Sequence, residues 1–420
     1  MTTPLAHTDR PNSTRPVPLW RNVSYMLLWS GQTVSNVGTQ VSTIAFPLLV
    51  LFITRSPAQA GFMGAVRALP YLFFSLPAGA LIDRWDRKRV MILCDTGRVV
   101  AMGSIPVAVA LNRMSIAQLF IVSAVEGTLF VFFNIAEVAC LPRVVAKEQL
   151  PAANGQYAVA DGGSVLIGPA LGGALFGIAS MLPFIADAVS YAVSVVTLLF
   201  IPARFQGERN AAARRSLRAE IGEGLVWLWR QPLIRFIAVL TGVTNIPAFA
   251  LIVIVVAQKQ MHASAGVVGL IFTIGGIGAI IGAAVGPWIQ KRASFAAVIL
   301  STMWLWTLLI PLYALAPSPV WLGVVVAITF LLSPIYNVVQ MSYRLALIPD
   351  ELQGRVNSVF RLIAFFGQPI GLAVTGLLLE KFNPLVTVLV FTVLQGAVTA
   401  LATLNPHVRN ARPLAEVEAI

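Results

Sequence analysis

The chain has 420 residues, of which 57% are hydrophobic and only 11% are charged. Soluble globular domains carry about 25% charged residues, so this composition excludes an ordinary soluble fold and favours a bilayer protein, whose spanning helices each need about 20 apolar residues. The 29 Lys and Arg residues outnumber the 17 Asp and Glu residues. They lie between hydrophobic runs, however, which is a membrane pattern and argues against a nucleic-acid partner.

Twelve apolar runs follow a polar beginning. Residues 1–19 contain prolines and no hydrophobic core, so we expect a short cytoplasmic tail and not a cleavable signal peptide. After it, apolar runs bounded by charges and turn residues predict twelve transmembrane helices in an all-α integral membrane protein. Their predicted ranges are 23–53, 58–82, 89–111, 116–140, 156–180, 182–203, 234–257, 263–289, 294–315, 318–343, 358–379 and 384–404.

The longest hydrophilic stretch divides these helices into two sets of six. It covers residues 204–233 and predicts a cytoplasmic linker between an N-terminal bundle at 20–203 and a C-terminal bundle at 234–404. A cytoplasmic tail at 405–420 completes the predicted organisation.

The two sets of helices are related in sequence. An offset of 203 residues aligns Glu148 with Glu351 in the loops after helices four and ten, and Gly173 with Gly376 in helices five and eleven. Matches at the same offset and in the same order predict two pseudo-symmetric six-helix bundles. This duplicated construction is expected of a secondary transporter.

The loops alternate in charge along the chain. One set of loops contains four bases, whereas the other set and the two tails contain 22. The four bases are Arg55, Arg113, Lys259 and Lys381. Because Lys and Arg are retained on the inner side of a membrane, the alternation predicts a multi-pass protein of the cytoplasmic membrane with both termini in the cytoplasm.

Glu126 is the most isolated charge within a predicted span. It lies about midway along helix four, where an ionisable group costs about 2.5–3.5 kcal/mol. Such a carboxyl group can carry a proton or attract a cationic substrate, or it can be a structural group held by a buried arginine. Arg67 in helix two has a matching depth and is the natural partner. A pair would keep Glu126 ionised and weaken a proton-carrying role unless the transport cycle breaks it.

Four more acids lie in or near the predicted spans. Asp95 and Arg98 are three residues apart on helix three, so we expect a local ion pair within the membrane. Asp187 is predicted to open helix six, where a carboxylate complements a helix N-terminus. Glu137 and Asp161 fall near cytoplasmic helix ends, and we expect them to be solvated or to join a polar network.

The sequence shows no catalytic set. Its three histidines are far apart, its two cysteines, Cys94 and Cys140, lack metal-site spacing, and no phosphate-binding loop is present. We therefore expect no enzymatic activity, no cofactor and no bound metal, and energy for transport would come from an ion gradient.

The stretch GALIDRWDRKRV at 79–90 resembles the signature that the major facilitator superfamily carries between helices two and three. The residues that match it are Gly79, Leu81, Asp83, Arg84, Arg87 and Lys88. Asp86 occupies the position of a usual glycine, and this form is similar to the branch that contains macrolide-efflux proteins and the enterobactin exporter. The resemblance implies that the matching residues form a cytoplasmic gate.

A second motif lies in helix five and reads GPALGG. It is similar to an element typical of the antiporters in this family, and in physical terms it favours close helix packing and a bend at the proline. Its matching residues are Gly168, Pro169, Gly172 and Gly173. One departure is Thr39, which stands where relatives often carry an acid in helix one. A helix-one acid is therefore missing from the candidates for proton coupling, which leaves Glu126 as the main candidate.

The resemblance implies a major facilitator fold that exports small amphipathic or hydrophobic molecules, such as a drug, an antibiotic or a siderophore, in exchange for protons. Glu126 would be the proton or cation site and Arg67 its modulator. We expect a monomer in the lipid bilayer that alternates access to a site between its halves. Two alternatives are a lipid or lysolipid transporter of the same fold and a membrane sensor that transports nothing.

Overall fold

The computed structural model describes residues 17–82, 84–202, 205 and 217–411. Every regular element within these ranges is a helix. The α-helices are α1 (Val23–Thr54), α2 (Pro57–Ile82), α3 (Arg87–Ala110), α4 (Ile116–Val144), α5 (Leu150–Ile178), α6 (Leu182–Phe200), α7 (Leu217–Arg230), α8 (Pro232–Thr244), α9 (Phe249–Lys259), α10 (Ala265–Arg292), α11 (Phe295–Leu315), α12 (Pro319–Leu347), α13 (Gln353–Lys381), α14 (Pro384–Leu404) and α15 (Pro406–Arg409).

The predicted number of spans is confirmed. Eleven helical stretches within the described ranges are long and apolar enough to cross a membrane, and one of them is the pair α8 and α9. The twelfth span is α2, which has 26 residues and packs against α4 and α13. Helices α1 to α6 therefore form the N-terminal half, and α8 to α14 form the C-terminal half.

The halves meet through two pairs of helices, α2 with α13 and α5 with α10. We call the end of the bundle at which α1 begins and α14 ends the base-rich side, because the loops there carry most of the Lys and Arg residues. The opposite end is the base-poor side. Both interhelical contacts between the halves are tight near the base-poor side.

Glycines allow this close approach. A Cβ atom added to Gly61 in α2 would lie 2.9 Å from the Cα atom of Gly376 in α13, and one added to Gly173 in α5 would lie 2.9 Å from the Cα atom of Gly269 in α10. Backbone therefore touches backbone at two equivalent places. The carboxylate of Glu380 in α13 adds a polar contact, because it accepts a hydrogen bond of 3.0 Å from the backbone N–H of Ala58. The base-poor side is closed.

The seventh span differs from the prediction. The sequence predicts one helix over 234–257, whereas the chain breaks between α8 and α9. Asn245 donates a side-chain hydrogen bond of 2.9 Å to the carbonyl of Ala364, and the hydroxyl of Thr375 accepts one of 3.2 Å from the backbone N–H of Ala248. Polar backbone groups exposed by a break need partners within a membrane. The Thr375 hydroxyl of α13 provides one for the N–H of Ala248, and the Asn245 side chain ties the break to an α13 carbonyl.

The predicted linker also contains a helix. Helix α7 packs against α13, where Glu223 forms an ion pair of 2.7 Å with Arg355. A Cβ atom added to Gly224 would lie 2.8 Å from the carbonyl oxygen of Arg355. The C-terminal part of the linker is thus docked on the second half.

Candidate functional site: a central cavity and its buried charge network

A cavity of about 1110 Å³ lies between the halves. It extends from Met63, in the second turn of α2, past Arg67 and Glu126 at mid-depth. It reaches Pro142 and Leu150, which lie toward the base-rich ends of α4 and α5. Small-molecule pockets measure about 300–1,000 Å³, so the cavity can hold a drug-sized molecule. Helix α13 presents a stripe of side chains to it: Arg361, Phe365, Gln368 and Leu372.

Glu126 lies at the centre of a buried ion-pair network. Its side chain is fully buried, and each of its oxygens contacts a different arginine. The Oε2 atom lies 2.5 Å from Nε of Arg67, and the Oε1 atom lies 3.1 Å from Nη2 of Arg98. Arg67 also donates a hydrogen bond of 3.2 Å to the hydroxyl of Thr43. Two positive charges therefore stabilise the charged form of this carboxylate.

Arg98 in α3 connects Glu126 to Asp95 in the same helix α3 and to Tyr191 in α6. Its guanidinium lies 3.3 Å from Asp95, as the spacing of the two residues suggests, and 4.0 Å from the ring centroid of Tyr191. The Tyr191 hydroxyl lies 2.9 Å from that of Thr39 in α1. Asp95 and Arg98 are therefore part of one network with Glu126 and not an isolated pair.

Asp187 is a third carboxyl group beside these arginines. Its predicted place at the opening of helix six is wrong, because α6 begins at Leu182 and Asp187 lies in its second turn, fully buried. Its Oδ1 atom accepts a hydrogen bond of 3.3 Å from Ser190, whereas Oδ2 has no hydrogen-bond partner in the described part of the chain. Its charge interacts with those of Arg67 and Arg98.

The charges of this network do not cancel when every group is ionised. The guanidinium groups of Arg67 and Arg98 face three fully buried carboxyl groups, those of Asp95, Glu126 and Asp187. One bound proton would make the set neutral. Since Asp187 is the carboxyl group without an ion pair within 4 Å among the described residues, it is the natural holder of that proton.

Glu137 and Asp161 line the cavity closer to the base-rich side. Asp161 accepts a hydrogen bond of 2.8 Å from Asn36, and neither carboxylate has an ion pair among the residues that the structure describes. Their negative charges lie close enough to repel each other. Their position at the cavity is not among the sequence-based predictions. A usable signal was present, because Glu137 lies 11 residues, or about three helical turns, after Glu126 and hence on the same helix face.

The predicted gate motif lies at the base-rich side and outside the network. Asp83 falls outside the described residues, and the surroundings of Gly79 are open. Arg87 donates a hydrogen bond of 3.0 Å to the carbonyl of Ala139 in α4, and Lys88 donates one of 2.7 Å to the carbonyl of Ile201 just after α6. These two bases tie the beginning of α3 to its neighbours. Arg84 lies in the turn after α2, where its backbone N–H bonds the carbonyl of Leu81.

The helix-five motif lies where α5 meets α1 and the second half. A Cβ atom on Gly168 would lie 2.3 Å from the side chain of Gln40, and one on Gly172 would lie 2.6 Å from the carbonyl oxygen of Val41. Gly173 faces α10 across the contact described above, and Pro169 lies within the continuous helix. The motif thus packs α5 against two helices at once.

Comparisons with known proteins by family profile, by sequence and by structure agree with one another. The sequence profile of the Major Facilitator Superfamily matches residues 28–372. The multidrug efflux pump Tap of Mycolicibacterium fortuitum is 24% identical over 401 residues, which cover 91% of this chain and 96% of that protein. Macrolide efflux protein A of Streptococcus pyogenes is 25% identical over 377 residues, covering 87% and 91% of the two chains. The nucleoside transporter NupG superposes with a TM-score of 0.72 at 15% identity, over 91% of this chain and all of that one.

Proposed function

Because the chain belongs to the major facilitator superfamily, we propose that it exports small amphipathic or hydrophobic molecules across the cytoplasmic membrane in exchange for protons. The observation that carries this proposal is the cavity, which reaches the base-rich side and meets at mid-depth a charge network with one carboxyl group in excess. The positive-inside rule makes the base-rich side cytoplasmic. The efflux pumps among its relatives support the outward direction.

Alternating access follows from the contacts between the halves. In this structure the glycine contacts close the base-poor side, so a substrate enters the cavity from the cytoplasm. Release on the other side requires the α2–α13 and α5–α10 contacts to separate while the cytoplasmic ends approach each other, which is the rocking motion of duplicated transporters. The gate motif lies at those cytoplasmic ends, where it would act on the closing movement.

The network suggests how proton and substrate movements are coupled. We assign the exchangeable proton to Asp187 and a charge-balancing role to Glu126, which is held between two arginines. Loss of the proton from Asp187 leaves a buried negative charge beside Arg67 and Arg98. Such a charge redistributes the pairing around Arg67, which reaches the cavity wall. Substrate binding at the wall and proton release from Asp187 are thereby linked.

Transport in proteoliposomes tests the proposal. The purified protein is reconstituted, a pH gradient that is acidic inside is imposed, and entry of a fluorescent amphipathic cation is followed. We expect the gradient to drive dye accumulation and the dye to move protons outward. Translocation of a fluorescent lysolipid that does not depend on the gradient, without any dye transport, would instead favour the lipid-transporting alternative.

The two cavity carboxylates predict a preference for positively charged molecules. We expect the double variant Glu137→Gln/Asp161→Asn to raise the KM for a cationic dye about tenfold, which corresponds to about 1.4 kcal/mol, because its attraction to two negative charges is lost. Transport of an uncharged dye of similar size should remain unchanged. Glu148→Gln is the matched control, since that exposed carboxylate lies outside the cavity lining. Equal effects on both dyes would contradict the role of these two acids.

A further inference from the structure

A second polar cluster lies in the C-terminal half, away from the ion-pair network. Its buried members are Gln340 and Arg344, which are one helical turn apart on α12 and only 5% and 7% exposed. Residues four apart share a helix face. The third member is Arg361 on α13, which is exposed to the cavity. These three residues form what we call the C-half donor cluster.

The buried members of the C-half donor cluster offer hydrogen-bond donors that find no acceptor. The Nε atom of Arg344 and the Nε2 atom of Gln340 are buried without a hydrogen-bond partner in the described ranges. No carboxylate among the described residues pairs with Arg344 either. Its guanidinium instead stacks on Phe360, 3.9 Å from the ring centroid. A buried charge without a counter-ion is strongly unfavourable, so the arrangement calls for an anion.

Arg361 brings the positive charge of this cluster to the cavity. It follows Phe360 directly, lines the cavity wall and repels the neighbouring charge of Arg344. No ion pair with Arg361 is present in the described part of the chain. Arg344 itself does not line the cavity, so a negatively charged group bound at Arg361 would contact that guanidinium and offset the positive potential of the one behind it.

The cavity is therefore bipolar. Its N-terminal wall carries the carboxylates of Glu137 and Asp161, and its C-terminal wall carries Arg361 with Arg344 behind it. Arg67 and Glu126 compensate each other and leave this polarity intact. A molecule with a positive group and a negative group can satisfy both walls at once.

We propose that Arg361, supported by Arg344, binds an acidic group of the transported molecule, so that the preferred substrates are amphoteric: an amine at one end and a carboxylate or phosphate at the other. This inference rests on the proposed transport function and specifies its substrate class. Arg361 is the binding residue, and Arg344 is a positioning residue that adds positive potential behind it.

Equilibrium binding of a rhodamine free acid and of its methyl ester to the purified full-length protein tests the inference. The two dyes share one cationic ring system and differ only in the carboxylate. We expect Arg361→Gln to weaken binding of the free acid about tenfold, as loss of a charge-assisted hydrogen bond implies, and to leave the ester within about twofold. Arg361→Lys should retain the preference in part, and Arg344→Gln should reduce free-acid binding less than Arg361→Gln does.

The controls separate this inference from its premise. Arg409→Gln removes an exposed base outside the cavity and should change neither affinity. Ester binding reports whether each variant is folded. Binding does not depend on a pH gradient, so failure of proton-driven transport alone would leave the inference standing.

Three results would overturn it. The first is an equal loss of affinity for both dyes in Arg361→Gln. The second is a wild type that binds neither dye, which would also remove the premise of drug transport. The third is stabilisation of the wild type, but not of Arg361→Gln, by phosphatidylglycerol without any preference for the free-acid dye. That result would assign the cluster to a lipid headgroup.

Discussion

Glu126→Gln is expected to lower the thermal stability of the purified protein sharply and to abolish gradient-driven transport. The carboxylate contacts Arg67 and Arg98 at 2.5 and 3.1 Å and is fully buried. Removing one partner of a buried ion pair costs about 3–5 kcal/mol, because it leaves an uncompensated charge. Scanning fluorimetry of the protein in detergent measures the loss of stability, and dye uptake into proteoliposomes measures transport.

Two further variants separate the charge effect from a general loss of packing. The double variant Glu126→Gln/Arg67→Met removes both charges of one pair, so it should recover part of the stability that the single variant loses. Glu351→Gln replaces an exposed carboxylate and should change stability by less than about 0.5 kcal/mol. If Glu126→Gln is as stable as the wild type, the network does not hold the bundle together in the way described.

Gly173→Leu is expected to open the base-poor side. A Cβ atom at this position would lie 2.4 Å from the carbonyl oxygen of Ala265 and 2.9 Å from the Cα atom of Gly269, so α5 and α10 must separate. Overpacking a tight contact costs about 1–3 kcal/mol. Each 1.4 kcal/mol changes an equilibrium constant about tenfold. The population of the state that is closed on the base-poor side should therefore fall roughly tenfold, and the transport rate should fall as well.

Labelling of the Met63→Cys variant with an impermeant maleimide reports the opening. Met63 lines the cavity and is 2% exposed, and the two natural cysteines, Cys94 and Cys140, are buried. We expect labelling from the base-poor side to rise about tenfold in Gly173→Leu. Gly177→Leu is the matched control, since this glycine lies one turn further along α5 and faces open space. Equal labelling in both variants would contradict the proposed seal.

The sequence predicts the spans well because each of them must be long and apolar enough to cross the bilayer. Hydropathy and loop charge locate twelve runs, and the described helices match that number with the eleven apolar stretches and α2. Hydropathy and loop charge do not predict the break in the seventh span. The presence of a proline does not predict it either, since Pro47 and Pro334 lie within continuous helices, whereas Pro247 lies between α8 and α9. The difference lies in tertiary hydrogen bonds that the Asn245 side chain and the backbone N–H of Ala248 donate to α13.

The candidate site shows a similar limit. The sequence identifies Glu126, Arg67, Asp95 and Arg98 as charges that need an explanation, because charge within a span is costly. It cannot show that one carboxylate joins two arginines from different helices, since that depends on the rotation of each helix about its axis. The start of helix six at 182 is predicted as α6 has it, and this start already puts Asp187 in the second turn, beyond the first turn in which a carboxylate complements a helix N-terminus.

The most direct test of proton-coupled export compares two assays of Asp187→Asn in proteoliposomes. Asparagine has nearly the shape of the protonated side chain but cannot release a proton, so the fold and substrate binding should be retained. We expect exchange of labelled for unlabelled dye without a gradient to continue at a rate close to that of the wild type. We also expect accumulation driven by a pH gradient to disappear. Accumulation by Asp187→Asn at the wild-type level would contradict proton coupling through Asp187.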